Sequence, residues 1–229
     1  RAYSKTRTSD FSGAINDYFN AIELRPNYVF AYNNLASVKF NNFNVIDSSI
    51  DYLKTALSYD SNAPMLYLNL AIIQNAKGSF TLAVKNATRA IVLNVEDKAG
   101  AYQSRGKAKR NLKQYQEAID DLKTSISLNP NYARTYFELG LVYYETSKDN
   151  LAIVNFNNAI KYGASEKGDF LSVSYYNRAL AKKSNNDFQG SISDFEMASK
   201  LDSKTNSLDK SEIAGVYFKW GNRFFKLKK

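Results

Sequence analysis

One arrangement of small and apolar positions returns along the chain at a nearly constant interval. A small residue, an aliphatic residue, a free position and an apolar residue recur as Ala21-Ile22-Glu23-Leu24, Ala56-Leu57-Ser58-Tyr59, Ala90-Ile91-Val92-Leu93, Ser125-Ile126-Ser127-Leu128, Ala159-Ile160-Lys161-Tyr162 and Ala198-Ser199-Lys200-Leu201. The gaps between copies are 35, 34, 35, 34 and 39 residues. A period of that size accommodates one helical hairpin. Seven residues before each copy stands another small residue (Ala14, Ser49, Ala83, Ala118, Ala152, Ser191), about two turns away and so on the same helical face. Between them lies a larger apolar residue, Tyr18, Leu53, Leu122, Phe156 or Phe195, with Ala87 as the exception. The stripe predicts the second helix of each hairpin, with small side chains admitting a close neighbour.

The first helix is marked by an aromatic knob with a small notch four residues on: Tyr32/Ala36, Tyr67/Ala71, Tyr102/Gly106, Tyr136/Gly140, Tyr175/Ala179 and Tyr217/Gly221. Leu or Arg precedes five of the notches and Trp220 precedes the last, while Pro26 and Pro130 mark stops after two second helices. As a set these residues resemble the tetratricopeptide repeat signature over nearly the whole chain. The resemblance implies an all-α fold, a right-handed superhelical solenoid of antiparallel helix hairpins, with first helices lining a concave groove. On that frame the sequence divides into a partial repeat at 1–28 and repeats at 29–63, 64–98, 99–132, 133–171 (with a loop insertion) and 172–207. A capping helix at 208–229, helical from about Leu208 to Lys228, would cover the last apolar face, and all of these form one domain. Arg1 is neither an initiator Met nor a signal-type opening, and reads as a cut or processed end.

The period slips in four places. The turn Asn41-Asn42-Phe43-Asn44 and the joint from Asn94 to Gly100 each carry one extra residue. Tyr175 and Tyr217 follow their preceding small residues by 16 and 19 positions, where the other knobs follow by 11 or so. Residues 163–168 and 202–207 therefore read as loops from their Gly, Ser, Asn and Lys content, unless the following helix begins a turn early.

Composition narrows the chemistry. With no Cys and no His, thiol and imidazole catalysis and the usual Zn or Cu ligand sets are removed, and no cofactor is implied. Gly163 and Gly168 have the spacing of a phosphate-binding loop, but Asp169 and Phe170 stand where that loop requires Lys and Ser or Thr. The acids Asp120 and Asp121 are adjacent on a helix, about 100° apart, and cannot share a proton; they read as solvated residues. The Asn86-Ala87-Thr88 sequon falls inside a predicted helix. These features predict a chain that is not an enzyme. No apolar run reaches the length of a membrane span, and absent cysteines permit a cytoplasmic or a periplasmic address equally.

The resemblance also supplies a frame for a binding face. With the knob counted as position four, positions two, five, six, nine, twelve and thirteen turn inward. Position six holds Asn34, Asn69, Ser104, Glu138 and Asn177, a partial polar ladder whose amides suit the backbone of an extended peptide. Asn33 stands beside it. Lys107 and Arg110 make the middle of the groove basic, and Phe137, Leu141, Tyr144 and Tyr176 make the later part aromatic. The expected partner is a protein or peptide with an acidic stretch between apolar anchors. Two alternatives are weaker. The Lys and Asn pair at positions five and nine through which some repeats of this type clamp chaperone carboxyl termini is missing from every frame. The net charge of +9 would attract nucleic acid, but Arg105, Lys107, Lys109, Arg110 and Lys113 spread around one helix as a solvated face does, and Lys226, Lys228 and Lys229 crowd the end of the chain.

Overall fold

A computed structural model describes residues 10–165, 169–201, 214–218 and 220. Every regular element among them is helical. In chain order these are α1 (Phe11–Leu24), α2 (Val29–Phe43), α3 (Ile46–Tyr59), α4 (Pro64–Lys77), α5 (Phe80–Val92), α6 (Lys98–Asn111), α7 (Tyr115–Leu128), α8 (Ala133–Glu145), α9 (Asp149–Tyr162), α10 (Phe170–Ser184) and α11 (Phe188–Leu201). Residues 214–218 and 220 are helical too. The rest of the expected closing helix, with Gly221, Lys226, Lys228 and Lys229, the expected loop 202–207 and Gly168 lie outside the described residues.

The helices start and stop for local reasons. At the heads of α1, α6 and α11 an Asp-x-x-Gly sequence caps the helix, with the carboxylates of Asp10, Asp97 and Asp187 accepting from the N–H of Gly13, Gly100 and Gly190 at 2.9, 2.8 and 2.9 Å. At the other end, the first helices α2, α4, α6, α8 and α10 close on a left-handed residue: Asn44, Gly78, Lys113, Ser147 and Asn186, with φ of 53°, 80°, 61°, 56° and 62°. The next N–H then turns back to a carbonyl five residues before the left-handed one or four, as Ser79 does to Gln74 at 2.8 Å and Lys148 to Tyr143 at 2.8 Å.

The chain forms two compact units, Arg1–Glu117 and Ala118–Lys229, with the boundary inside α7. In the first, Leu53 and Ala56 of α3 pack with Tyr32 and Ala36 of α2 and with Leu66 and Leu70 of α4. Ala83, Ala87 and Ala90 of α5 are fully buried, the close approach that the small-residue stripe predicts. In the second, Phe188, Ile192 and Phe195 of α11 enclose Ala179 of α10 together with Val216. Burying a side chain such as Leu53 or Phe195 contributes about 1.5–3 kcal/mol.

Several local expectations are corrected. The extra residue at 41–44 does not enlarge a turn: Asn41 to Phe43 are helical, and α2 is lengthened to 15 residues before Asn44 stops it. Lys98 to Gly100 belong to α6, so the irregular joint shortens to Leu93–Asp97, where buried Val95 packs on Leu68, Ala90 and Ala101. Of the two readings of the insertion before Tyr175, the earlier helix start is the one observed, since α10 begins at Phe170. Asp121 is not solvated. It is 4% exposed while Asp120 is exposed, because it stands three residues after Ala118, on the face that carries the small-residue stripe.

Candidate functional site

The residues expected to face a partner fall in both units. In the first, Asn33 and Asn34 lie on α2, Asn69 on α4, and Lys107 and Arg110 on α6, all half-buried. Asn69 Nδ2 donates to Asn33 Oδ1 at 2.7 Å across one repeat, so the inter-repeat pair joins positions five and six. Asn34 Nδ2 donates to the Phe30 carbonyl of its own helix at 3.0 Å. Ser104, the next residue in the ladder, is 1% exposed and is reached by Asn75, whose Nδ2 donates to its carbonyl at 2.8 Å and lies 3.0 Å from its Oγ. Asn75 Oδ1 is enclosed without a hydrogen-bond partner. The amide orientation follows from chemistry, because a carbonyl can only accept. At inward positions of the same helices, Phe30, Met65 and Ile72 are 51%, 38% and 40% exposed, whereas Leu68, at position five of its helix, is buried in the core.

In the second unit the aromatic positions are half core. The Phe137 ring lies 5.8 Å from that of buried Phe156 and 5.7 Å from that of Phe170. Tyr176 meets Phe195 edge-on at 5.3 Å. Leu141 and Tyr144 are half-buried on α8, Glu138 is only 5% exposed, and Asn177 Nδ2 donates to the Val173 carbonyl at 2.8 Å. Gly140 has a packing reason, since a Cβ there would sit 2.7 Å from Phe156 Cε1.

Sequence reasoning missed a buried charge cluster. Asp194 of α11, 4% exposed, receives Arg178 Nε at 2.7 Å and Nη2 at 2.6 Å, and Lys182 Nζ at 2.8 Å. Arg178 Nη1 also donates to Asn157 Oδ1 at 2.7 Å, and its guanidinium stacks 5.0 Å above the Tyr175 ring. The signal was present as spacing, since Arg and Lys stand 16 and 12 residues before Asp194, as they do before Asp121.

Two tyrosines titrate late. Burial, and then the neighbouring phenol of Tyr59, raises Tyr32 above its ordinary value; burial, and then Tyr162, raises Tyr136. Among the described residues no group of three or more acids could hold a metal ion, and no helix is long and apolar enough to cross a membrane. An open cleft of about 350 Å³ in the first unit is lined by Ser12, Ile15, Asn16, Lys39, Phe43 and Val45. None of these is a residue expected to meet a partner.

Comparison with known proteins places this geometry. Residues 106–147 match the family model described as TPR repeat. Human protein O-mannosyl-transferase TMTC3 is 32% identical over 166 residues, covering 71% of this chain and 18% of that protein. The anaphase-promoting complex subunit Cut9 of Schizosaccharomyces pombe is 23% identical over 176 residues, 72% of this chain and 26% of its own length. The chain thus spans about a quarter or less of these two relatives. Among solved structures, the Cut9–Hcn1 hetero-tetramer superposes with a TM-score of 0.82 at 16% identity, covering 96% of this chain and 42% of that one. YrrB, described as a TPR protein with an unusual peptide-binding site, superposes at 0.57 and 16% identity, over 85% of this chain and 97% of its own. At those identities the likeness is one of fold.

Proposed function

We propose that this chain, a tetratricopeptide-repeat protein, is a protein-interaction scaffold that captures a partner's extended segment on the inward positions of its first helices, by reversible contact and without chemistry. Repeats of this type generally act as interaction scaffolds, and YrrB is an example described by its peptide site. The observation that carries the reading is the first unit's inward face. There the coupled amides of Asn33 and Asn69 share the inward positions of α2 and α4 with exposed Phe30, Met65 and Ile72. Hydrogen-bonding groups set among apolar surface are what an extended chain needs, because its backbone must be satisfied while its side chains are buried.

In this reading Asn33, Asn34, Asn69 and Asn177 meet the partner's backbone, Lys107 and Arg110 meet acid groups, and Phe137, Leu141, Tyr144 and Tyr176 offer apolar edges. Glu138 supports the face from beneath. Asn34 and Asn177 each spend one N–H on their own helix, which leaves each amide an Oδ1 acceptor and a second N–H donor for a peptide backbone.

The test is affinity capture from native lysate with the purified chain against a triple variant, Asn69→Ala, Lys107→Glu and Tyr144→Ala. A partner retained by the parent and lost by the variant supports the assignment. For an identified partner, Lys107→Glu with Arg110→Glu should weaken binding at least tenfold, about 1.4 kcal/mol. Unchanged affinity would remove those two residues from the site. Binding to an oligonucleotide that collapses steeply with salt would favour the nucleic-acid alternative instead.

A further inference from the structure

Seven residues after the knob, a first helix carries Lys in three hairpins, as Lys39 in α2, Lys109 in α6 and Lys182 in α10. Three residues after the first small residue of the facing second helix, α7 and α11 carry Asp121 and Asp194, each 4% exposed, and Lys182 Nζ lies 2.8 Å from the Asp194 carboxylate. In α3 the same place holds Tyr52. Lys39 Nζ is held over two rings instead, 5.4 Å from the centroid of Tyr52 and 5.3 Å from that of Phe19 in α1, and these rings meet edge-on at 6.2 Å. Among the described residues, no carboxylate lies within ion-pair distance of it.

Lys39 also lines the open cleft of about 350 Å³ between α1, the end of α2 and the start of α3. Ser12 and Asn16 bring a hydroxyl and an amide, both exposed and without a side-chain hydrogen-bond partner among the described residues. Ile15, Phe43 and Val45 are the apolar lining, the last two 49% and 38% exposed. None of the lining residues is an acid. Lys39 and Phe43 are positions eleven and fifteen of their helix, outside the inward set, so the cleft is separate from the face proposed above.

We propose that this cleft is a second recognition site, which takes an acidic side chain of a protein partner together with the aliphatic residue beside it. The two rings orient the ammonium without neutralising it, so Lys39 keeps the capacity for a carboxylate that Lys182 spends on Asp194. Ser12 and Asn16 add neutral donors for the same group, and the apolar lining covers its aliphatic neighbour. The cleft stands at the small end of ligand sites, which run to roughly 300–1,000 Å³, and it is open, so a free small acid in it keeps much of its surface in water. A side chain carried on a polypeptide bound elsewhere has already met most of the cost of association. Residues 1–9, which precede α1 and its Asp10 cap, include Arg1, Lys5 and Arg7 and no acid, so they supply no carboxylate to Lys39.

The experiment titrates the peptide N-acetyl-Gly-Glu-Leu-Gly-amide into the full 229-residue chain and follows backbone amide chemical shifts. Shifts should saturate in the millimolar range and centre on the lining residues. The same peptide with Gln for Glu should bind roughly tenfold more weakly. Lys39→Met keeps the methylenes on the rings and loses the charge, and should also cost roughly tenfold, while Lys39→Arg, whose guanidinium stacks on rings, should stay within about threefold. Tyr52→Asp gives α3 the acid that α11 carries, and should cost roughly tenfold by pairing Lys39 from within; Lys39→Met decides alone if that variant does not fold. The net charge of +9 draws any acid weakly to the surface, so a loss on removing one charge is what marks a site. Shifts that spread without saturating, equal binding of the two peptides, or parent affinity in Lys39→Met would each overturn the proposal. Free 3-methylbutanoate binding as tightly as the peptide would overturn the choice of a polypeptide as occupant.

Discussion

The two units put different chemistry at equivalent register positions. In the two complete hairpins of the first, α2–α3 and α4–α5, the second helices centre on Leu53 and Ala87, and the inward faces of the first helices carry amides coupled to one another. In the complete hairpins of the second, α8–α9 and α10–α11, the centres are Phe156 and Phe195, 0% and 1% exposed, and the inward aromatics Phe137 and Tyr176 lean onto those rings. A large ring at the hairpin centre reaches far enough to draw its inward neighbour into the core. An aliphatic residue there, Leu53 or Ala87, leaves the inward face to make its own bonds. An inward aromatic in the second unit therefore serves stability as much as recognition, whereas an inward amide in the first is more nearly free of the core.

The sharpest way to break this contrast is to empty one centre. Phe156→Ala should cost about 3–5 kcal/mol of local stability in α8 and α9, read as lost hydrogen-exchange protection there. An effect below about 1 kcal/mol would mean that the ring does not organise the unit. Next come the inward positions themselves. Phe137→Ala or Tyr176→Ala should cost about 2 kcal/mol, and Asn69→Ala, which removes one half-buried hydrogen bond, about 1 kcal/mol; the reverse order would dissolve the distinction between the units.

Alkaline titration distinguishes them less. Tyr32 in one unit and Tyr136 in the other have folded-state values above the unfolded one, so each favours the fold fully below the ordinary phenol value near 10. That contribution disappears as pH rises through the folded value. Thermal unfolding midpoints should hold to about pH 10 and then fall, and Tyr32→Phe with Tyr136→Phe should flatten the fall. The smallest effect belongs to the turns. Lys113→Gly and Ser147→Gly, at φ of 61° and 56°, should raise stability by up to about 1 kcal/mol in their respective units, and a loss at either would show that its side chain holds the turn.

The hairpins were legible because the small-residue stripe and the knob-and-notch pair are periodic, and periodicity survives substitution at single sites. Positions at which different residue types serve one geometry were not legible. Lys113 and Ser147 take the same left-handed turn as Gly78, yet neither is a residue that advertises it. Asp121 read as solvated because an acid beside an acid usually is, while its register with Ala118 pointed inward. The candidate positions could be named from the repeat register. Their bonds could not, because the inter-repeat amide contact joins Asn33 to Asn69, at positions five and six, and a search for identical neighbours follows position six alone. The ion cluster at Asp194 was readable in principle, through the 16- and 12-residue separations from Arg178 and Lys182.

The chain has a single Trp and no Cys, and Trp220 packs against the cluster built by Phe188, Ile192, Phe195 and Val216. Its emission is therefore an optical gauge of one hairpin, blind to events at α1 through α6, and cysteines introduced elsewhere can carry dyes on an otherwise unreactive background. A stack of repeats can come apart piecewise, so the melting seen at 295 nm excitation and that seen by far-ultraviolet circular dichroism are two different curves. Their separation measures how strongly the chain behaves as one body.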